Sequence, residues 1–180
     1  MARVRAPRPA APEREDWERH QITSFGRALE DPDLQRFATA PIHEHHERPF
    51  DMLILRTKPR YFGSRPPVIE YYWLLREHRA GVDVGDGWVL GDVELVGGGN
   101  VFWNAPNFEE PRPFGRVHSA VIAKPYRRKG LYSAVLGALR VALGMPLYGG
   151  KSQTKGAIGA WKRAGGRVVW YLGSRVFVIE

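Results

Sequence analysis

The 180-residue chain contains no cysteine, which excludes a disulfide framework, a thiolate nucleophile and any cysteine-based zinc site. That absence suits a reducing compartment, and the cytoplasm is the expected location. No apolar run approaches the length of a membrane span. The basic N-terminus leads into prolines and charges instead of an apolar signal region, so secretion is not indicated. Acidic residues are also in short supply, with Asp and Glu numbering 19 against 27 Lys and Arg, for a formal charge of +8 and a pI near 10.0. Such a balance favours phosphorylated ligands, nucleic acid or an anionic surface as partners. The basic residues are spread along the chain in no single block, and a solvated surface would account for them equally well.

At this length one domain with a sizeable core is expected, because folding buries about two-thirds of the unfolded surface. Residues 1–12 alternate Arg, Ala and Pro without periodicity and read as a flexible basic arm, leaving residues 13–180 as a single domain. From residue 13 to 38 the spacing of Trp17, Ile22, Phe25 and Leu29 predicts a helix, broken at Asp31-Pro32 before a short second helix. Residues 51–58, 68–75, 88–95 and 100–103 read as strands separated by Gly and Asp-Gly breaks. Residues 104–113, NAPNFEEPRP, form a proline-bearing loop that either shapes a substrate opening or simply connects. Beyond it come a strand (115–123), a helix (131–143), a short strand (145–148) and a helix (153–164). A hairpin of residues 167–172 and 175–179 then closes around Gly173-Ser174. The strand, helix, strand, helix alternation predicts a parallel pair at the centre of an otherwise antiparallel sheet.

Residues 121–136, VIAKPYRRKGLYSAVL, carry the most information. An apolar strand ends at Pro125 and passes through a basic turn into an apolar helix. Gly130 lets the backbone approach a ligand closely, and the helix start offers unpaired N–H groups and the positive end of its dipole. A diphosphate is the natural occupant of such a turn. Arg127, Gly130 and Tyr132, preceded by Ala123-Lys124-Pro125, resemble the acyl-CoA loop of the GNAT superfamily of N-acetyltransferases, which reads Arg/Gln-x-x-Gly-x-Gly/Ala after a hydrophobic-x-Pro step. Further on, Thr154 to Gly165 match Asn-x-x-Ala-x-x-x-Tyr-x-x-x-Gly at Ala157, at the aromatic Trp161 and at Gly165. The two motifs stand at the expected separation. Three departures are specific: Tyr132 replaces a small loop residue, Thr154 stands for Asn, and Trp161 stands for a tyrosine that protonates the departing thiolate. An indole N–H cannot replace that acid.

The resemblance implies an α/β (α+β) GNAT-like fold, with a mixed, mostly antiparallel sheet, helices on both faces and the parallel pair at the CoA cleft. It implies an acyl-CoA, most simply acetyl-CoA, transferring its acyl group directly to a primary amine in a ternary complex. The amides of Arg128, Lys129, Gly130, Leu131, Tyr132 and Ser133 would hold the diphosphate, Arg127 and Lys129 would add charge, and the exposed backbone of Ile122 and Ala123 would pair with the pantetheine arm. Thr154 completes the cofactor set.

A general base and a general acid have less obvious sources. The strand before the loop offers His118 and Ser119, of which alternation allows only one to face the cleft; an imidazole titrates in the useful range. Glu109 and Glu110 could act through water, and Tyr148 or Ser152 could replace the missing tyrosine. His43, His45 and His46, in a proline-bounded His/Glu cluster, are weak metal candidates that match no defined spacing, so no metal site is assigned. The alternative function is a GNAT-shaped protein that binds nucleic acid or modifies bases without ordinary acetyl transfer. It draws on the basic arm, the pI and the Tyr71-Tyr72-Trp73 run. A noncatalytic scaffold is a third reading.

Overall fold

The computed structural model describes residues 14–42, 50–78 and 93–180. The expected basic arm, the His43/His45/His46 cluster and residues 88–92 of the third expected strand lie outside the described residues. Helix α1 (Arg14–Gly26) and a 3-10 turn (Arg27–Glu30) precede strands β1 (Leu34–Ile42), β2 (Phe50–Thr57), β3 (Glu70–His78), β4 (Val93–Asn104) and β5 (Phe114–Ile122). Helix α2 (Leu131–Leu143), β6 (Leu147–Tyr148), α3 (Lys155–Arg163), β7 (Arg167–Tyr171) and β8 (Ser174–Ile179) complete the chain. The fold is mixed α/β, and its strands form one eight-stranded sheet in the order β1-β2-β3-β4-β5-β6-β8-β7. Every pairing is antiparallel except β5 with β6. No helix among the described residues is long and apolar enough to cross a membrane.

Alternation along β2 divides the core. Met52 and Ile54 face a large cluster with Trp73, Leu131, Val135, Leu139 and Trp161, which seats α2 and α3. Leu53 and Leu55 face the opposite way and meet Phe25 of α1 together with Leu74 and Val121. The helices therefore lie on both faces. Helix α2 fits its sequence closely: Leu131, Val135, Leu136 and Leu139 are buried at helical spacing, and Gly130 and Gly144 bound it, both in the left-handed region.

Two expected elements are corrected. The short second helix after Asp31-Pro32 is strand β1. The Asp31 carboxylate accepts from the Asp33 amide at 2.9 Å and turns the chain into an edge strand, the one place in a sheet where Pro41, lacking an N–H, fits. The expected break between residues 95 and 100 is also absent, since β4 runs straight through Gly97–Gly99. These glycines serve close packing: a Cβ on Gly99 would stand 2.2 Å from the Ser119 carbonyl and 2.7 Å from the Trp73 ring. The closing hairpin turns at Leu172 and Gly173, with φ of 46° and 69°, one residue earlier than the sequence suggests.

Candidate functional site

Strand β5 leads from Ile122 through a 3-10 turn (Lys124–Tyr126) to Arg128 at φ 62° and Gly130 at φ 78°, which starts α2. A non-glycine residue in the left-handed region costs on the order of 1 kcal/mol, so neighbouring contacts must hold the loop. They are plain: Ala123 N–H donates to Val96 O at 2.8 Å, Arg127 Nε to Ile122 O at 2.8 Å, and the Tyr126 hydroxyl to Glu77 Oε2 at 2.5 Å. Lys129 Nζ stands 5.8 Å above the Tyr126 ring.

These bonds alter two expectations. The Ile122 carbonyl and the Ala123 amide are already paired internally, so they are not open to a pantetheine arm. Arg127 clamps the loop to its own strand and is not a free cation. What does remain open is the first turn of α2: no side chain caps it, and the amides of Leu131, Tyr132 and Ser133 meet no acceptor among the described residues. Arg163 of α3 reaches the same turn, its Nε 3.3 Å from Ser133 Oγ, and adds a positive charge that the sequence did not advertise.

Beside this turn the sheet opens. Strands β5 and β6 pair only at Gly115–Leu147 and Arg116–Tyr148 and then diverge. A cleft of about 270 Å³ fills the wedge. Residues 117–120 of β5 form one wall, and Ser152, Gln153 and Thr154, with Trp161 of α3, form the other. Tyr132 lies in the lining as well. His118, Ser119, Tyr132, Ser152 and Thr154, all candidates from sequence, thus share one cavity.

His118 and Ser119 both line the cleft, where strict alternation admitted only one. The cause is a β-bulge: Ser119 pairs with Asn100 and Val117 with Val101, which leaves His118 as the extra residue on β5. Its exposed ring meets Phe102 edge-on at 5.3 Å. Ser119 stands opposite Asn100, a buried residue whose Nδ2 donates to Glu70.

Tyr132 is the tyrosine of the cleft. Its ring stacks on Trp73 at 6.4 Å, and its hydroxyl lies near the Trp161 indole. Burial raises its pKa to about 12, against the opposing effect of the indole. A hydroxyl so placed stays protonated at neutral pH and keeps its own hydrogen available to a ligand. Thr154 caps α3 by accepting from the Ala157 amide at 3.2 Å, and so combines a structural task with its place in the lining. Gln153, which sequence reasoning passed over, donates to Gly150 O at 3.3 Å and leaves Oε1 buried without a partner.

Tyr148 is corrected. Leu147 faces the cluster of Trp161, so Tyr148, one residue on, faces the other side of the sheet, against Phe114 and Tyr171. Its hydroxyl donates to Glu110 Oε2 at 2.7 Å, and burial together with that carboxylate pushes its pKa well up. Glu110 is likewise no base of the cleft: it is buried and bonded to Tyr148 and Arg112. Glu109 accepts from the Leu172 amide at 2.6 Å and ties residues 104–113 to the closing hairpin. No carboxylate lines the cleft among the described residues, which leaves His118 as its one imidazole. No group of three metal-ligating side chains is found among them either. A more open hollow of about 780 Å³ lies between α1 and residues 123–125, but it mixes Arg19 and Arg27 with Glu30 and Glu94 and holds none of the candidate catalytic residues.

No model of a known protein family matches the chain, and no curated protein matches it significantly.

Proposed function

We propose that the protein is an acyl-CoA-dependent N-acyltransferase, most simply an acetyltransferase, acting on a primary amine by direct transfer in a ternary complex. One observation carries the reading. The uncapped first turn of α2 adjoins a cleft where two parallel strands part, and a protonated hydroxyl, that of Tyr132, lies within it. The strand–helix–strand–helix run from β5 to α3 supports a GNAT-like arrangement for the same part of the chain.

The carrier supplies an activated thioester. Amides of Gly130, Leu131, Tyr132 and Ser133 would hold its diphosphate, with Arg163 and Lys129 adding charge. The open backbone of residues 117–120 would meet the pantetheine arm as a neighbouring strand would. His118 would take the proton of the incoming ammonium, and the freed amine would form the C–N bond at the thioester carbon. The Ser119 and Ser152 hydroxyls, on opposite walls, are available to the oxyanion; Tyr132 would give its proton to the sulfur as the C–S bond breaks, and the proton that the adduct nitrogen sheds in becoming the amide would restore the phenol through solvent. No protein nucleophile is required.

Calorimetric titration with acetyl-CoA and with CoA tests the reading. Saturable binding that weakens in Arg163→Gln is expected; absence of heat at millimolar ligand would reject it.

A further inference from the structure

The loop between β2 and β3 presents two aromatic rings to solvent, Tyr61 at 71 % and Phe62 at 60 % exposure, and neither has an aromatic or hydrogen-bonding side-chain partner among the described residues. We propose that this loop is a docking platform for single-stranded nucleic acid, on which unpaired bases stack against Tyr61 and Phe62 while Arg60 and Arg65 meet the phosphates.

Three features carry the inference. The loop is built to hold its rings out. Arg60 and Val68 exchange backbone hydrogen bonds of 3.1 and 2.8 Å, the Arg65 amide donates to Phe62 O at 3.4 Å around Gly63 at φ 63°, and Pro59, Pro66 and Pro67 restrict the backbone. A loop backbone fixed this way loses little entropy on binding.

The charge is of one sign. No Asp or Glu occurs between Thr57 and Glu70, whereas Lys58, Arg60 and Arg65 do. Lys58 is balanced by Asp33 at 3.2 Å, but Arg60 and Arg65 form no ion pair among the described residues. In a chain of formal charge +8, that favours a polyanion over an acid-poor protein surface.

The rings stand next to one another in the chain, with Arg60 directly before them and Arg65 three residues after. Adjacent π-faces flanked by guanidinium groups suit a strand that carries both bases and phosphates, and only unpaired bases expose a face to stack on. A duplex offers the phosphates alone. The inference does not depend on what fills the cleft, so it stands or falls separately from the acyltransferase reading.

Fluorescence anisotropy of the full chain with a labelled oligothymidine of roughly 20 nucleotides decides it, since that length exceeds one binding site. Tyr61→Ala and Phe62→Ala should each weaken binding roughly tenfold, whereas Tyr61→Phe and Phe62→Trp, which keep a ring, should bind like the parent. Arg60→Gln combined with Arg65→Gln should flatten the dependence of log affinity on log salt by about 1.4, from two contacts at about 0.7 each. These side chains are exposed, so circular dichroism spectra and melting temperatures should not change. Absence of binding would overturn the proposal. So would affinity indifferent to both alanine variants, as would equal binding of a blunt duplex. If the alanine variants instead alter self-association in sedimentation, the rings serve a second copy and the proposal fails.

Discussion

Replacing Tyr132 by Phe removes one oxygen from the cleft, and its consequences for stability run in opposite directions at neutral and alkaline pH. At about pH 7 the hydroxyl is neutral and is the polar group near the buried Trp161 indole, so its loss deprives that N–H of a polar neighbour and costs about 1 kcal/mol. On the alkaline side the sign reverses. The pKa of Tyr132 stands raised from 10.0 to about 12, chiefly through burial. The stability tied to its proton is complete below pH 10 and is lost as pH climbs through 12, because the unfolded chain ionises first. A shift of about 2 units corresponds to about 2.7 kcal/mol over the whole window, and about 1.4 kcal/mol of it is gone by roughly pH 11. Phenylalanine has no such dependence, and the other tyrosines are common to both proteins and cancel. Urea unfolding midpoints should therefore favour the parent near pH 7 and converge or cross by about pH 11. Parallel profiles across that range would refute the assignment of a hydroxyl whose pKa burial has raised.

Three other outcomes are expected. His118→Ala should lower the rate of acetyl transfer by about 100-fold or more while leaving acetyl-CoA affinity in calorimetry unchanged, as befits a group that handles the amine's proton. Gly99→Ala should cost upwards of about 2 kcal/mol and several degrees of melting temperature, because the new Cβ would fall 2.2 Å from a backbone oxygen that cannot move without parting β4 from β5. Glu110→Gln should destabilise the protein by roughly 1–3 kcal/mol at neutral pH. Burial pushes this carboxyl up, but the Tyr148 hydroxyl and Arg112 outweigh burial and hold it below its usual range. Its contribution is complete above its ordinary value and is lost as pH falls through the lowered one. Acid unfolding curves of parent and variant should therefore converge at low pH.

What the sequence disclosed follows from where its signals are local. Helix α2 and the closing hairpin depend on periodicity and on turn residues within a few positions of one another, and both were readable. Strand β1 was not, because its inward residues Ala38 and Ala40 are small, only Ile42 is fully buried, and a bulge between Arg36 and Ala38 interrupts the alternation. Gly97–Gly99 looked like a break because a glycine run conveys freedom of backbone and says nothing of the Trp73 ring and the Ser119 carbonyl that occupy the missing side-chain space. In the cleft, His118 and Ser119 were legible as candidates, but their joint presentation depends on a register slip against β4 that no local pattern encodes. Tyr148 failed on parity: a two-residue strand gives no alternation from which to tell its faces. Arg163 was hidden because its partner, Ser133, lies 30 residues away on another helix.

Tyr132 and Trp161 are best understood as a pair. Each departs from the GNAT motif it resembles, one by placing a ring in the loop and the other by lacking a hydroxyl on α3, and the fold brings the two departures into contact. Under the proposed reaction, the departing sulfur needs a proton donor in a given place, and the helix from which the donor projects is immaterial. Moving the hydroxyl from one helix to the other isolates that requirement. Tyr132→Phe should slow transfer by on the order of 100-fold with the carrier still bound, and adding Trp161→Tyr to it should recover part of the loss. Trp161 is buried and stacked on Phe177 at 6.3 Å, so its truncation to tyrosine leaves a void and lowers the melting temperature of the double variant. A gain in rate alongside that loss of stability would arise only if the hydroxyl itself acts. If the double variant is as slow as Tyr132→Phe while binding acetyl-CoA normally, the proton comes from elsewhere and the tyrosine serves only to pack the cleft.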